Sequence, residues 1–282
     1  PPVPVQGPAH ARASVLHAPA VDQEPDAEEH QPSAGPSLDL GLGTWGLSFG
    51  NAPTWSGLRI NLRDSGVCDI RGLNLSLWVP GRSPHGRMAG LNLGLVANGM
   101  HTVEGLNVGL LANVAEESLW GLSASLVANV SDNTMTGLQL AGLANVAEGD
   151  VSGLAIAGLA NVWEDRFDGA SLAGLAVLAE DDLEGLSLAG LAVIAEEDME
   201  GLSLAGVATV AEGALEGLHV AGLASLSGEG TDGLALGGLV VMTDESLEGL
   251  ALTGGALVAD DNVDGLGLAG LAAVAGGRAH GV

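Results

Sequence analysis

The chain has 282 residues, of which 45 are Gly, 5 Trp, 2 Phe and none Tyr, with a formal net charge of -27. All 8 basic residues are Arg, so the basic face that nucleic-acid binding requires is missing. The lone Cys68 excludes an internal disulfide framework and a Cys-based zinc site, and Gly does not recur every third residue as collagen demands.

Residues 1–37 read as a disordered arm, with frequent Pro (Pro1, Pro2, Pro4, Pro8) and an acid-rich patch from Asp22 to Glu29 that lacks apolar periodicity. No basic n-region followed by an apolar stretch precedes the body, so a signal peptide is expected to be absent or already removed. No run of apolar residues has the length and freedom from Gly and charge of a transmembrane helix.

Residues 38–104 read as an irregular capping section. It holds Trp45, Phe49, Trp55 and Trp78, and its Gly-Leu steps at Gly57, Gly72 and Gly90 are unequally spaced. Terminal units of a repeat array are expected to be atypical in this way.

Residues 105–282 form a regular array. Gly105, Gly121, Gly137, Gly153, Gly169, Gly185, Gly201, Gly217, Gly233, Gly249 and Gly265 follow one another at one constant interval. Such a period outranks local propensity and signals a solenoid or an array. With that Gly as position 1, position 2 is Leu almost throughout, position 4 is mostly aliphatic, and position 7 is Leu or Val until Gly255. Position 10 is always aliphatic or Met. Repeated Gly at positions 1 and 6 costs about 1 kcal/mol each inside a helix, and the apolar residues at 2 and 4 alternate as in a strand.

The predicted class is therefore all-β. A parallel β-solenoid of about 12–14 coils, one 16-residue unit per coil, would stack like positions about 4.8 Å apart. The alternative is an antiparallel β-meander or β-barrel with one strand per unit. Equal inter-unit lengths and the scarcity of aromatic girdle residues favour the solenoid. Asn98, Asn113, Asn129, Asn145 and Asn161 all fall at position 9, where a solenoid would join their amides from coil to coil.

The opening run Gly57-Leu58-Arg59-Ile60-Asn61-Leu62, then Gly72-Leu73-Asn74-Leu75-Ser76-Leu77-Trp78, then repeated Gly-Leu-x-Leu-Gly/Ala units, resembles bacterial "surface repeat" proteins over residues 55–282. The resemblance implies a bacterial cell-surface, secreted or outer-envelope protein and brings no established activity. This chain departs from those proteins in being Ala-rich and acidic.

Charge placement is the sharpest feature. From residue 105 onward, all 26 acids fall at positions 12, 13, 14 or 16. In either β architecture these are turn positions, and in a solenoid they stack in columns along one edge. Stacked carboxylates repel, so some of their pKa values should rise or cations should gather. Three readings follow: a solvated edge that keeps the rod soluble, binding of Ca²⁺, or capture of a basic partner. The candidate metal ligands are Glu180, Asp181, Asp182, Glu196, Glu197, Asp198, Asp260 and Asp261. The nonapeptide of calcium β-rolls is absent.

No catalytic set stands out. His219 occupies position 3, where neighbouring units carry Ser187 and Ser203, and reads as a surface substitution; Cys68 reads as a small buried residue. The chain offers no Lys for a phosphate loop. The expectation is a non-enzymatic scaffold or adhesion element without a cofactor, meeting an extracellular or envelope partner. An envelope-embedded barrel or pore is the alternative. The unit that opens at Gly281 stops at Val282, which suggests end-to-end association through an uncapped last unit.

Overall fold

The computed structural model describes residues 35–81 and 83–280. The predicted arm therefore lies outside the described residues except for its last three, and Ser37 already begins a strand. Gly281 and Val282, on which the expected end-to-end association rests, also lie outside the described residues. None of the described residues is helical.

The chain winds as a parallel β-solenoid of about 14 coils with 16-residue spacing. A regular coil is a seven-residue strand, a two-residue corner, a four-residue strand and a three-residue turn, as in Val151–Ala157 followed by Ala160–Trp163. The long strands pair in register: Val151 with Phe167, Gly153 with Gly169, Ala157 with Ala173. The short strands do the same, Ala160 with Ala176 and Asn161 with Val177. An antiparallel meander or barrel cannot pair every residue with the same position of the next unit, so the rival architecture falls. The antiparallel pairing of Ser37–Leu42 with Trp45–Gly50 is local to the first hairpin. Parallel stacking already begins at Trp45–Gly50, which pairs with Thr54–Asn61, and it continues through the sections of unequal spacing.

The position-1 glycines have a covalent reason. They adopt φ values such as +103° at Gly185 and +117° at Gly153, which L side chains rarely adopt. Their backbones also approach the preceding coil so closely that a Cβ at Gly185 would lie 2.2 Å from the carbonyl oxygen of Gly169.

The interior is lined by positions 3, 5, 9, 11 and 15. Position 15 supplies the large side chains, among them Leu119, Met135, Phe167, Leu183 and Met199, all buried. Positions 3, 5 and 11 are mostly Ala or Ser, because the space between the strand ladders is narrow. Trp163 is the exception at position 11; it is fully buried and stacks on Phe167 with ring centroids 5.4 Å apart. The Leu and Val of positions 2, 4, 7 and 10 stack as regularly as the sequence suggests, but they stand on the outer surface, half-buried or exposed.

The asparagine ladder forms as expected. Asn98, Asn113, Asn129 and Asn145 each donate a side-chain N–H to the next Asn's Oδ1 at 2.9–3.0 Å, ending on Asn161. All five are buried, and their remaining donors reach backbone carbonyls such as Leu140 O and Ile156 O. Apart from Asn98 Oδ1, which has no partner at the start of the ladder, these amides are paired, and they hold coil register because a slipped coil would leave more buried polar groups unpaired.

Candidate functional site: the acidic edge

The three-residue turns, with position 16 just beyond, carry the acids. The position-16 column runs in register from Asp168 through Glu184, Glu200, Glu216, Asp232 and Glu248 to Asp264. At strand spacing these carboxylates succeed one another about every 4.8 Å.

The turns are held by their backbones. Glu180, Glu196 and Glu212 at position 12 each donate a backbone N–H to the preceding coil, at 3.0 Å to Trp163 O, 3.1 Å to Ala179 O and 3.1 Å to Ala195 O. Asp at position 14 adds a side-chain link: Asp198 Oδ1 accepts from Ala214 N at 2.7 Å and Asp182 Oδ1 from Asp198 N at 3.4 Å. Asn262 plays the same part toward Arg278 N at 2.9 Å.

The eight candidate metal ligands thus separate into roles. Asp182 and Asp198 bind neighbouring backbone, and Asp182 also meets Arg166 at 2.7 Å. Glu180 and Glu196 stand in one outward column, Asp181 and Glu197 in the next. Asp260 and Asp261 occupy an exposed turn further along. Among the described residues no group of three or more His, Cys, Asp or Glu side chains converges to hold a metal ion.

The expected electrostatic consequence falls on two acids of the edge, Glu196 among the candidates and Glu200 in the position-16 column. Glu196 has its pKa raised above 4.5 first by burial and then by Glu180 and Glu212 in the same column. Glu200 is raised first by burial and then by Glu216 and Glu184 on either side. A carboxyl whose folded pKa lies above its unfolded value contributes stability that is fully present below about pH 4.5 and is lost as pH rises through the folded value. Glu196→Gln/Glu200→Gln is therefore expected to raise the thermal midpoint at neutral pH and to leave it unchanged near about pH 4. A midpoint that rises equally at both pH values would refute the charge explanation.

Two single-residue expectations are corrected. Cys68 is exposed rather than buried, because it lies between the interior residues Val67 and Ile70 on a connecting segment. His219 is fully buried, not on the surface, because position 3 faces the interior. Neither of its ring nitrogens has a hydrogen-bond partner of good geometry. Burial lowers its pKa from 6.5, opposed by the backbone of Glu216. Here the sign is opposite to that of the glutamates: the native imidazole is neutral while the unfolded one protonates, so stability falls as pH drops below about 6.5. His219→Ser, the residue of the neighbouring coils, is expected to flatten the midpoint between about pH 7 and pH 5. A wild-type midpoint that does not fall over that interval would sink the assignment.

One polar group escaped the sequence reading. Arg59 and Asp64 form an ion pair with side chains 0% and 1% exposed. Arg59 also donates to Asn74 Oδ1 and Asn51 Oδ1, both at 2.8 Å. Asp64 accepts from Asn61 Nδ2 at 2.5 Å and from the Ser76 hydroxyl. The readable signal was positional: Arg59 stands in the position-3 row that continues through Asn74, Asn92, Asn107, Ser123 and Gln139.

Fold and edge together define a parallel β-solenoid repeat protein whose regular coils gather their carboxylates on one side. No family model matches the chain, and no curated protein or solved structure matches it.

Proposed function

We propose that the chain is a non-enzymatic rigid scaffold of the bacterial cell surface or extracellular space, which uses its acidic edge to capture a basic partner. The observation that carries this reading is the segregation of charge. From Gly105 onward every acid lies at positions 12–14 or 16, and Arg166 and Arg278 lie among them. A column of like charges on a stiff backbone is a preorganised electrostatic target, and it steers oppositely charged ligands without a shaped pocket. The location rests on the resemblance of the Gly57–Trp78 section to surface repeat proteins.

Fluorescence anisotropy of a labelled Arg/Lys-rich peptide tests the binding. Saturable binding that weakens steeply with salt is expected. Glu180→Gln/Asp181→Asn/Glu196→Gln/Glu197→Gln should weaken it by at least about tenfold. Those four changes leave the backbone-binding Asp182 and Asp198 in place. Equal affinity of wild type and variant would overturn the role of the edge. Protease shaving of intact expressing cells tests the location: release of peptides from the repeat is expected, and their appearance only after lysis would refute it.

A further inference from the structure

The side of the coil away from the acids is apolar along its length. Position 7 forms a row, Leu159, Leu175, Leu191, Val207, Leu223 and Leu239, each between 38% and 56% exposed. Successive members of the row are joined through their backbones at 2.8–2.9 Å, so they keep strand spacing. Next to the row in sequence runs a groove lined by the position-5 alanines, the position-6 glycines and the position-4 side chains Ile156, Leu172, Leu188 and Leu204. A second groove of the same build continues past Ala221 to Gly270. From residue 105 onward the sequence places no Asp, Glu or Arg at positions 1–11. A continuous apolar strip of this kind exceeds the scattered apolar surface of an ordinary soluble domain.

Charge decides between two occupants. A bilayer surface is anionic and is met by Lys, Arg and interfacial Trp or Tyr. This strip has no cation or aromatic: Arg166 and Arg278 lie in the acidic turns, Trp163 is buried, and Trp120 sits at position 16. A second copy of the chain suits it better. Two ridges placed face to face put the two acidic edges on opposite outer sides, where repulsion is least. The spacing also matches, since the leucine row of one copy and the glycine notches of the other both repeat about every 4.8 Å. Ten coils give a strip about 48 Å long.

We propose that the position-7 ridge and its adjoining groove pair with the same surface of a second chain, giving a side-by-side dimer with its acidic edges outermost. Sedimentation equilibrium of the full chain is expected to show a two-chain mass at about 100 µM. The association should tighten at about 0.5 M salt, where repulsion between the acidic edges is screened and apolar burial is not. Leu159→Asp/Leu175→Asp/Leu191→Asp should weaken association at least about 100-fold with the far-ultraviolet circular dichroism unchanged. If that variant misfolds, Leu175→Gln/Leu191→Gln, which removes apolar contact without adding charge, should still weaken it at least about tenfold. A wild-type chain that stays single at high salt would overturn the proposal, as would folded variants that associate like wild type. Flotation of a monomeric wild type with phosphatidylcholine vesicles would do the same and assign the strip to lipid. None of these readouts depends on whether the acidic edge binds a basic peptide.

Discussion

Asp64→Asn is expected to destabilise the first coils by about 3–5 kcal/mol, the cost of leaving a buried charge without its counterion. Arg59 is wholly inside the solenoid, and its charge is met by Asp64, with Asn74 and Asn51 accepting from its two terminal nitrogens and its Nε left without a partner. Amidation removes the negative charge and also disturbs the Asn61 and Ser76 contacts that converge on the same carboxylate. Arg59→Met/Asp64→Leu should recover much of the loss, because an apolar pair of similar volume has no desolvation penalty. Each coil of a solenoid touches only its neighbours, so the damage should remain local. Hydrogen exchange is expected to accelerate in residues 54–94 and to stay at wild-type rates beyond Gly201. Uniform acceleration along the whole chain, or a loss under about 1 kcal/mol, would contradict this account.

Gly185→Ala should cost about 3 kcal/mol or more, from two additive causes. The residue holds φ +103°, and its added Cβ would fall 2.2 Å from the Gly169 carbonyl oxygen, a backbone atom that cannot rotate away. The relief open to it is to separate two coils, which breaks the ladder bonds on both sides of the site. Gly230→Ala is the contrasting case. Its Cβ would meet only the Ser246 carbonyl at 3.4 Å, and its φ lies outside the left-handed region. That change is expected to remain within about 1 kcal/mol of wild type, with reduced unfolded-state entropy acting in its favour. Urea unfolding of the two variants measures the difference; similar midpoints would show that the stacked glycines are not under steric compulsion.

These two sites differ in how far the sequence exposes them. The glycine at position 1 is visible as a period, and both its bend and its role in stacking are readable from recurrence alone. The Arg59–Asp64 pair is not, because its partners come from a section where the repeat spacing is irregular and Asp64 lies outside the strand pattern. The acidic edge is legible as positions 12–14 and 16, and its columns follow from the register. Which acids are engaged is not: only the turn geometry shows Asp182 and Asp198 accepting backbone N–H groups of the next coil.

Recurrence at equal intervals establishes the period and the positions at which glycine, asparagine and charge return; like-on-like stacking, which recurrence favours over an antiparallel meander, is settled by the parallel register. The tertiary structure alone decides which side of each strand is the inside. Alternate residues of a strand face opposite ways, and here both sets are uncharged through most of the coil, so periodicity cannot choose between them. The choice falls to volume. The strand ladders lie close together, and that space accepts the Ala, Ser and Asn of positions 3, 5, 9 and 11 with one large side chain per coil at position 15. The leucines of positions 2, 4 and 7 stand outside, which buries His219 and leaves an apolar ridge on the surface.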